Sequence, residues 1–224
     1  VYKRQAWGWE PCTIAAIKDY RPKSSSLSSG QVLPEPYPHE KARLIVREMA
    51  DQLSLELVEK GLVCSQFVLD IGYDAENLSA PVRQKTYHGP TKTDRYGRAV
   101  PAAAHGSANL SVPASSARIL MQTAAEVFDR IADSRLSVRR VTVTAAGLLR
   151  QEEAQLVGGD QLDFFGNYAA HQQQKAELER ELSGQQAIVA LRQKYGKNAV
   201  LRGMDLQEGA TTKNRNGQIG GHKA

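Results

Sequence analysis

The sequence predicts an α+β domain of order β-α-β-β-α-β. Its four-stranded, mainly antiparallel sheet carries two helices on one face, and a helical and disordered C-terminal tail follows. Three observations predict this. Gln66–Tyr73 alternates: Phe67, Leu69, Ile71 and Tyr73 fall on one side, Gln66, Asp70 and Gly72 on the other. The amphipathic run Glu40–Glu59 feeds into that strand. A second helical run, Ser115–Asp133, feeds into another strand at Arg139–Ala145.

The elements follow in order. Val1–Gln5 reads as the translated end of a transposon adapter used in library preparation, a sequencing scar rather than protein. Ala6–Pro22 is short and mixed. Pro11 ends what precedes it, and Thr13 is placed to cap one or two turns bearing Ile14 and Ile17. Trp7 and Trp9 fit the tail of a preceding domain, or a tail that packs on its own downstream partner. Lys23 and the serines from Ser24 to Ser29 form a tether entering an edge strand, Leu27–Leu33. Pro34, Pro36 and Pro38 stop it.

The first long helix starts near His39. Ala42, Ile45, Val46, Met49, Leu53 and Leu57 make one apolar stripe; Arg43, Arg47, Asp51 and Glu59 mostly decorate the other side. Gly61 stands where a glycine closes a helix. The strand Leu62–Tyr73 leads into a long, polar, Gly- and Pro-punctuated connection, Asp74–Pro101, either functional or merely mobile. Val100–Val112 returns as a strand, with Gly106, Ala108, Leu110 and Val112 on one face and Ser107, Asn109 and Ser111 on the other. Ser115 caps the second helix, whose stripe is Ile119, Leu120, Thr123, Val127, Phe128 and Ile131. Val138–Leu149 is the last strand, with Val141, Val143 and Ala145 inward and Arg140, Thr142 and Thr144 outward. Arg150–Asp160 reads as a linker. Tyr168–Leu182 and Gln185–Tyr195 read as two helical pieces interrupted at Ser183-Gly184, and the glycine-rich end from Gly203 as a tail without regular structure.

Composition narrows the chemistry. The chain has 224 residues, 6% aromatics and a net charge of +5, with mean hydropathy −0.45, so the core is smaller than the length suggests. The positive charge is concentrated. Arg83, Lys85, Lys92, Arg95 and Arg98 face the single acid Asp94, and Lys213, Arg215 and Lys223 face none. Such loops suit an anionic partner, or are ordinary solvated charge. Cys12 and Cys64 lack partners at disulfide or zinc spacing, so a reducing cytoplasm is the expected compartment. No apolar run has membrane-spanning length. No phosphate loop, metal pair or nucleophile–base arrangement occurs, so neither catalytic nor metal-binding residues are expected.

Binding chemistry is better represented. An outward sheet face of hydroxyls, amides and Arg beside a basic loop can lie along a phosphate backbone without reading sequence. RNA-recognition modules share the strand order but stack bases on aromatic strand residues. The strand His105–Leu110 has none. The expected contacts are Lys23, Ser24 and Ser26 of the tether, Arg83, Lys85, Lys92, Arg95 and Arg98 of the loop, and Ser107, Asn109, Arg140, Thr142 and Thr144 of the sheet. Asp70 would repel phosphate, so its strand is expected to be a scaffold for its neighbours.

Several strings carry a family resemblance. They are Trp7-Gly8-Trp9-Glu10-Pro11, Ile17–Pro22, the Ser24–Leu33 tether and strand, Ala42-Arg43, Val46–Ala50, Asp70–Asp74, His105–Leu110 and the terminal run Glu208–Ala224. Together they resemble the C-terminal half of bacterial, UmuC-like Y-family translesion DNA polymerases. The resemblance implies thumb end and tether at residues 6–22, a little finger that holds template–primer DNA at 23–149, and a tail at 150–224. It implies a role in DNA repair and SOS damage tolerance. It also places the palm, with its magnesium-binding carboxylates, upstream, so these residues are expected to bind DNA but not to polymerise it, and to need no cofactor themselves. Gln161-Leu162-Asp163-Phe164-Phe165 is similar to the sliding-clamp-binding motif of bacterial polymerases, with Phe164 in place of the usual Leu; an aromatic pair packing on the little finger is the other reading. A free-standing DNA-binding accessory protein and a regulatory ligand-binding β-α-β module remain as alternatives.

Overall fold

A computed structural model of the chain describes residues 6–8, 12–20, 26–79, 87–94, 96–157, 168–219 and 222–223. The first element, α1 (Ile14–Asp19), is capped by Thr13, whose hydroxyl accepts the Ala16 N–H at 3.1 Å. Ile14 and Ile17 stay exposed. Then come β1 (Ser26–Tyr37), α2 (His39–Glu59), β2 (Leu62–Tyr73) and a single turn, α3 (Glu76–Ser79). A small hairpin, β3 (Thr91–Thr93) and β4 (Ala99–Pro101), precedes β5 (Ala104–Ala114), α4 (Ala117–Ile131) and β6 (Val138–Arg150).

The sheet order is β1-β6-β2-β5, and every pairing in it is antiparallel. Each helix therefore bridges two parallel strands with a third strand between them, a split β-α-β unit used twice. The expected order and the placement of α2 and α4 on one face are both found. Alternation decides which face is buried. Phe67, Leu69 and Ile71 of β2 and Val141, Val143 and Ala145 of β6 are inaccessible to solvent, and Tyr73 is buried. The α2 stripe from Ala42 to Leu57 meets them. In α4 the buried positions are Ala117, Leu120, Ala124, Ala125, Val127 and Phe128; Ile119, Thr123 and Ile131 flank them, half-buried. The two helices are clamped by Arg43, which donates from Nε and Nη2 to Asp129 at 2.8 Å each, and by the His39 ring lying 4.7 Å from that of Phe128.

Several boundaries differ from expectation. β1 does not stop at Pro34 but runs to Tyr37, with an irregularity after Val32. Being an edge strand, it tolerates prolines that have no ladder hydrogen bond to give. The return strand is two strands: Ala99–Pro101 belongs to the hairpin, and β5 starts at Ala104. An irregularity in its pairing beyond Asn109 turns Val112 out to solvent. Ser116, not Ser115, caps α4, accepting the Ile119 N–H at 3.2 Å.

Beyond β6 the chain is more ordered than its composition suggests. The expected linker opens as α5 (Gln151–Val157). Ser183-Gly184 does not interrupt the helix that follows, and α6 (Tyr168–Tyr195) is continuous. A mid-helix glycine costs only about 1 kcal/mol relative to alanine, and Gln185 beside it is buried, bonded to Ser54 Oγ and the Ser115 carbonyl. The glycine-rich end is likewise folded. A 3₁₀ turn (Gly203–Leu206), α7 (Thr212–Arg215), β7 (Gln218–Ile219) and β8 (His222–Lys223) follow in order.

The long connection is also partly built. Asp94 organises the hairpin turn: its Oδ1 accepts the Tyr96 and Arg98 N–H groups at 2.8 and 2.9 Å, and its Oδ2 accepts Arg98 Nε at 2.9 Å. Farther back, Asn77 ties the end of β2 to the turn before β6, donating to the Asp74 and Ser137 carbonyls and accepting the Ser137 N–H.

Two consequences are measurable. A β-carbon at Gly106 would sit 2.6 Å from Ile131 Cγ2 and 3.3 Å from Val127 Cγ1, so β5 and α4 approach because nothing stands between them. Gly106→Val should destabilise the fold by about 1–3 kcal/mol through overpacking, read as a lower denaturation midpoint with an unchanged slope. The Arg98 N–H, then the Arg98 side chain and the Tyr96 N–H, hold the Asp94 carboxyl below its ordinary value of 3.8. A depressed carboxyl stabilises fully above that ordinary value and loses its contribution as pH falls through the lowered one. In an acid titration the Tyr96 and Arg98 amide resonances should therefore move together with a midpoint below 3.8; a midpoint at or above it contradicts this account.

Candidate nucleic-acid interface

Because α2 and α4 cover one face of the sheet, the other is open. The pairing registers lay its residues out in rows. Ser26 of β1, Ala146 of β6, Gln66 of β2 and Asn109 of β5 form one row. Ser28, Thr144, Val68 and Ser107 form the next, then Gly30, Thr142, Asp70 and His105. Val32, Arg140 and Gly72 follow. No Phe, Tyr or Trp stands in these rows. Hydroxyls, amides, an arginine and the Asp70–His105 pair line them, with valine, alanine and glycine between.

Six of the expected contact residues thus meet on one surface: Ser26, Ser107, Asn109, Arg140, Thr142 and Thr144. Lys92 is exposed on β3 of the hairpin. Arg98 is there too, but it is not a spare cation. Its guanidinium bridges to Asp94 at 2.8 Å and lies 5.2 Å from the Tyr96 ring centroid. Its main task is to hold the hairpin turn. Lys23, Ser24, Arg83, Lys85 and Arg95 lie outside the described residues, and so do Gln161, Leu162, Asp163, Phe164 and Phe165.

Cross-strand hydrogen bonds preset the surface. Ser28 and Thr144 hydroxyls are 2.9 Å apart, and Gln66 Nε2 donates to Asn109 Oδ1 at 3.1 Å. Arg130 of α4 donates to the Ser107 carbonyl at 2.6 Å, occupying a backbone acceptor of the edge strand β5. Asp70 is not the isolated negative charge expected from its strand: His105 Nδ1 sits 2.7 Å from its Oδ1. Ser28, Gln66 and His105 share this face, and the expected set omitted them. The alternation of β1 could have supplied Ser28, which shares a face with Ser26. The partnership of Asp70 with His105 needs the β2–β5 register, which the sequence does not display.

Other sites offer less chemistry. A cleft of about 590 Å³ is lined by Asp74, Glu76, Arg98 and Arg139, among others. Its arginines are held by their own partners, Arg98 by Asp94 and Arg139 by Asp74 and the Pro34 carbonyl. Cys64 is buried, and burial pushes its thiol up to about 11, which leaves it protonated and unreactive. Among the described residues no three His, Cys, Asp or Glu side chains converge on a common point. Among the same residues, no helix is long and apolar enough to cross a membrane.

Residues 24–160 match the family described as the impB/mucB/samB family C-terminal domain. The match begins just before β1 and ends just after α5, so it takes in the whole sheet and both covering helices. A search of curated proteins finds no match. The family context is that of Y-family polymerases and DNA damage tolerance. The chain belongs to the impB/mucB/samB family and carries the C-terminal domain of a UmuC-like Y-family polymerase.

Proposed function

We propose that this domain grips template–primer DNA for translesion synthesis in the cytoplasm, laying its open sheet face along the phosphate backbone. The observation that carries the reading is the chemistry of that face. Ser26, Thr142, Thr144, Ser107 and Asn109 offer small donors, Arg140 a cation, and no Phe, Tyr or Trp stands there to stack bases, the one imidazole being bonded to Asp70. Donors of this kind fix a duplex in position and leave its sequence unread, which suits an enzyme that must accept distorted templates. Lys92 and the basic residues flanking it in sequence extend the positive charge. The His105 imidazole shields phosphate from Asp70. Nucleotidyl transfer itself belongs to a palm with magnesium-binding carboxylates, outside these residues.

The pentad Gln161-Leu162-Asp163-Phe164-Phe165 adds a tether to the sliding clamp. A glutamine amide for pocket backbone and two apolar side chains for a slot are what that recognition requires. The pentad falls between α5 and α6, past the end of the DNA-gripping domain, so both partners can be held at once.

Fluorescence anisotropy with a primer–template duplex tests the first reading. Log affinity should fall with log salt by roughly 0.9 per phosphate contact, and Arg140→Ala should reduce that slope by about one. Asp70→Asn should raise affinity. A flat salt response, or a slope unchanged by Arg140→Ala, counts against backbone gripping by this face. For the tether, alanine at Gln161, Leu162 and Phe165 together should abolish binding to the clamp and leave duplex affinity unaltered. Parallel loss of both would make the pentad structural.

A further inference from the structure

The side of α2 turned away from the sheet carries a second polar surface, and the end of the chain lies on it. Glu48 and Asp51, three residues apart on one helix, are both buried. The Glu48 carboxylate accepts the Thr211 N–H at 2.9 Å and the Thr212 N–H at 3.4 Å, with the Thr211 hydroxyl at 3.3 Å. Asp51 accepts Arg202 Nε at 2.6 Å. Arg215 donates to Gln31 Oε1 at 3.0 Å and also to Gln52 Oε1. The segment has its own internal order. Asp205 accepts the Arg202 N–H at 2.7 Å, Asn198 donates to the Lys213 carbonyl, and Asn216 donates to Asn198.

What is missing from this contact is as informative. Among the described residues, no apolar side chain beyond Ala145 is buried; those buried farther on are Gln185, Asp205, Thr211 and Thr212. The apolar core between the sheet and its helices is complete without the segment, and only Leu55 and Val58, buried outside that core, share the side of α2 that carries Glu48 and Asp51. Removing the segment would open no cavity between the sheet and its helices. Both surfaces would return to water, which can satisfy each carboxylate, amide and guanidinium again. Docked, the segment's carboxylate, amide and guanidinium contacts are hydrogen-bonded while the buried Thr212 hydroxyl has no partner; undocked, water can satisfy them all, so two separate states of one molecule are open to it.

We propose that the outer face of α2, together with Gln31 of β1, is a peptide-recognition groove occupied in cis by residues 197–219. The same segment presented by a second copy of the chain, or as a free peptide, enters the groove when the cis copy is displaced. Recognition rests on two carboxylates at helical spacing. One takes consecutive backbone N–H groups and the other a guanidinium, while two glutamine amides take a second guanidinium. A peptide lacking the arginines, or carrying acids in their place, would leave Asp51 buried without a counter-charge.

Two measurements on the full chain test this. In hydrogen exchange, the Thr211 and Thr212 amides should exchange at least about tenfold faster than those of Phe67 and Leu69, through an opening that leaves the sheet intact. A fluorescent peptide of residues 197–219 should bind the Arg202→Ala/Arg215→Ala chain about tenfold more tightly than the unaltered chain, whose own segment competes at high effective concentration. Adding Glu48→Ala to the double variant should remove that binding. Exchange of the Thr211 and Thr212 amides in step with the sheet overturns the proposal. So does absence of peptide binding to the double variant, or equal binding to all three chains.

Discussion

The register of β2 between β6 and β5 is the constraint on which the rest of the structure depends. Successive residues of a strand point to opposite faces, so a slip of one residue would exchange them all. Phe67, Leu69 and Ile71 are fully buried in the observed register. Slipping would expose three large apolar side chains, each worth about 1.5–3 kcal/mol of burial, and would push the Asp70 carboxylate toward the core. The open face inherits its order from this: Gln66 and Asp70 are held outward because their neighbours are held inward.

The surface proposed to meet DNA is thus specified indirectly. Its hydroxyls and amides lie outside the apolar core. Their positions are set by the alternation of β2 and β6 and by the cross-strand partners that alternation selects, Ser28 with Thr144 and Gln66 with Asn109. A rigid surface of short side chains loses little conformational freedom when it meets a ligand, which favours backbone gripping over adaptive base reading.

Periodicity made the sheet and its helices legible in the sequence, because both are half-buried and burial writes alternation into residue order. The strand Leu62–Tyr73 and the apolar stripe of α2 are cases where one residue's environment follows from its neighbours in sequence. The buried carboxylates are the opposite case. Asp51 reads as a solvated residue on the polar side of an amphipathic helix, and its partner Arg202 stands 151 positions away. Nothing local distinguishes a carboxylate facing water from one facing a guanidinium. The same holds for His105 and Asp70, which meet only through strand pairing. Gly184 misled for a related reason: its local penalty is small, and the tertiary contacts of Gln185 outweigh it.

Helix α2 joins these two kinds of surface. Its apolar stripe faces the sheet and is covered by groups that cannot leave without opening a void. Its other side meets the end of the chain through hydrogen bonds and an ion pair, and buries Leu55 and Val58 as well. Burial pushes the carboxyls of Glu48 and Asp51 above their ordinary range, while the Thr211 N–H and the Arg202 guanidinium pull them back. Desolvation is the larger influence for both, so these contacts offset a burial cost rather than add a large surplus. A contact balanced in this way contributes specificity more than stability. The terminal segment is positioned by it, while the integrity of the domain rests on the sheet and the apolar face of α2.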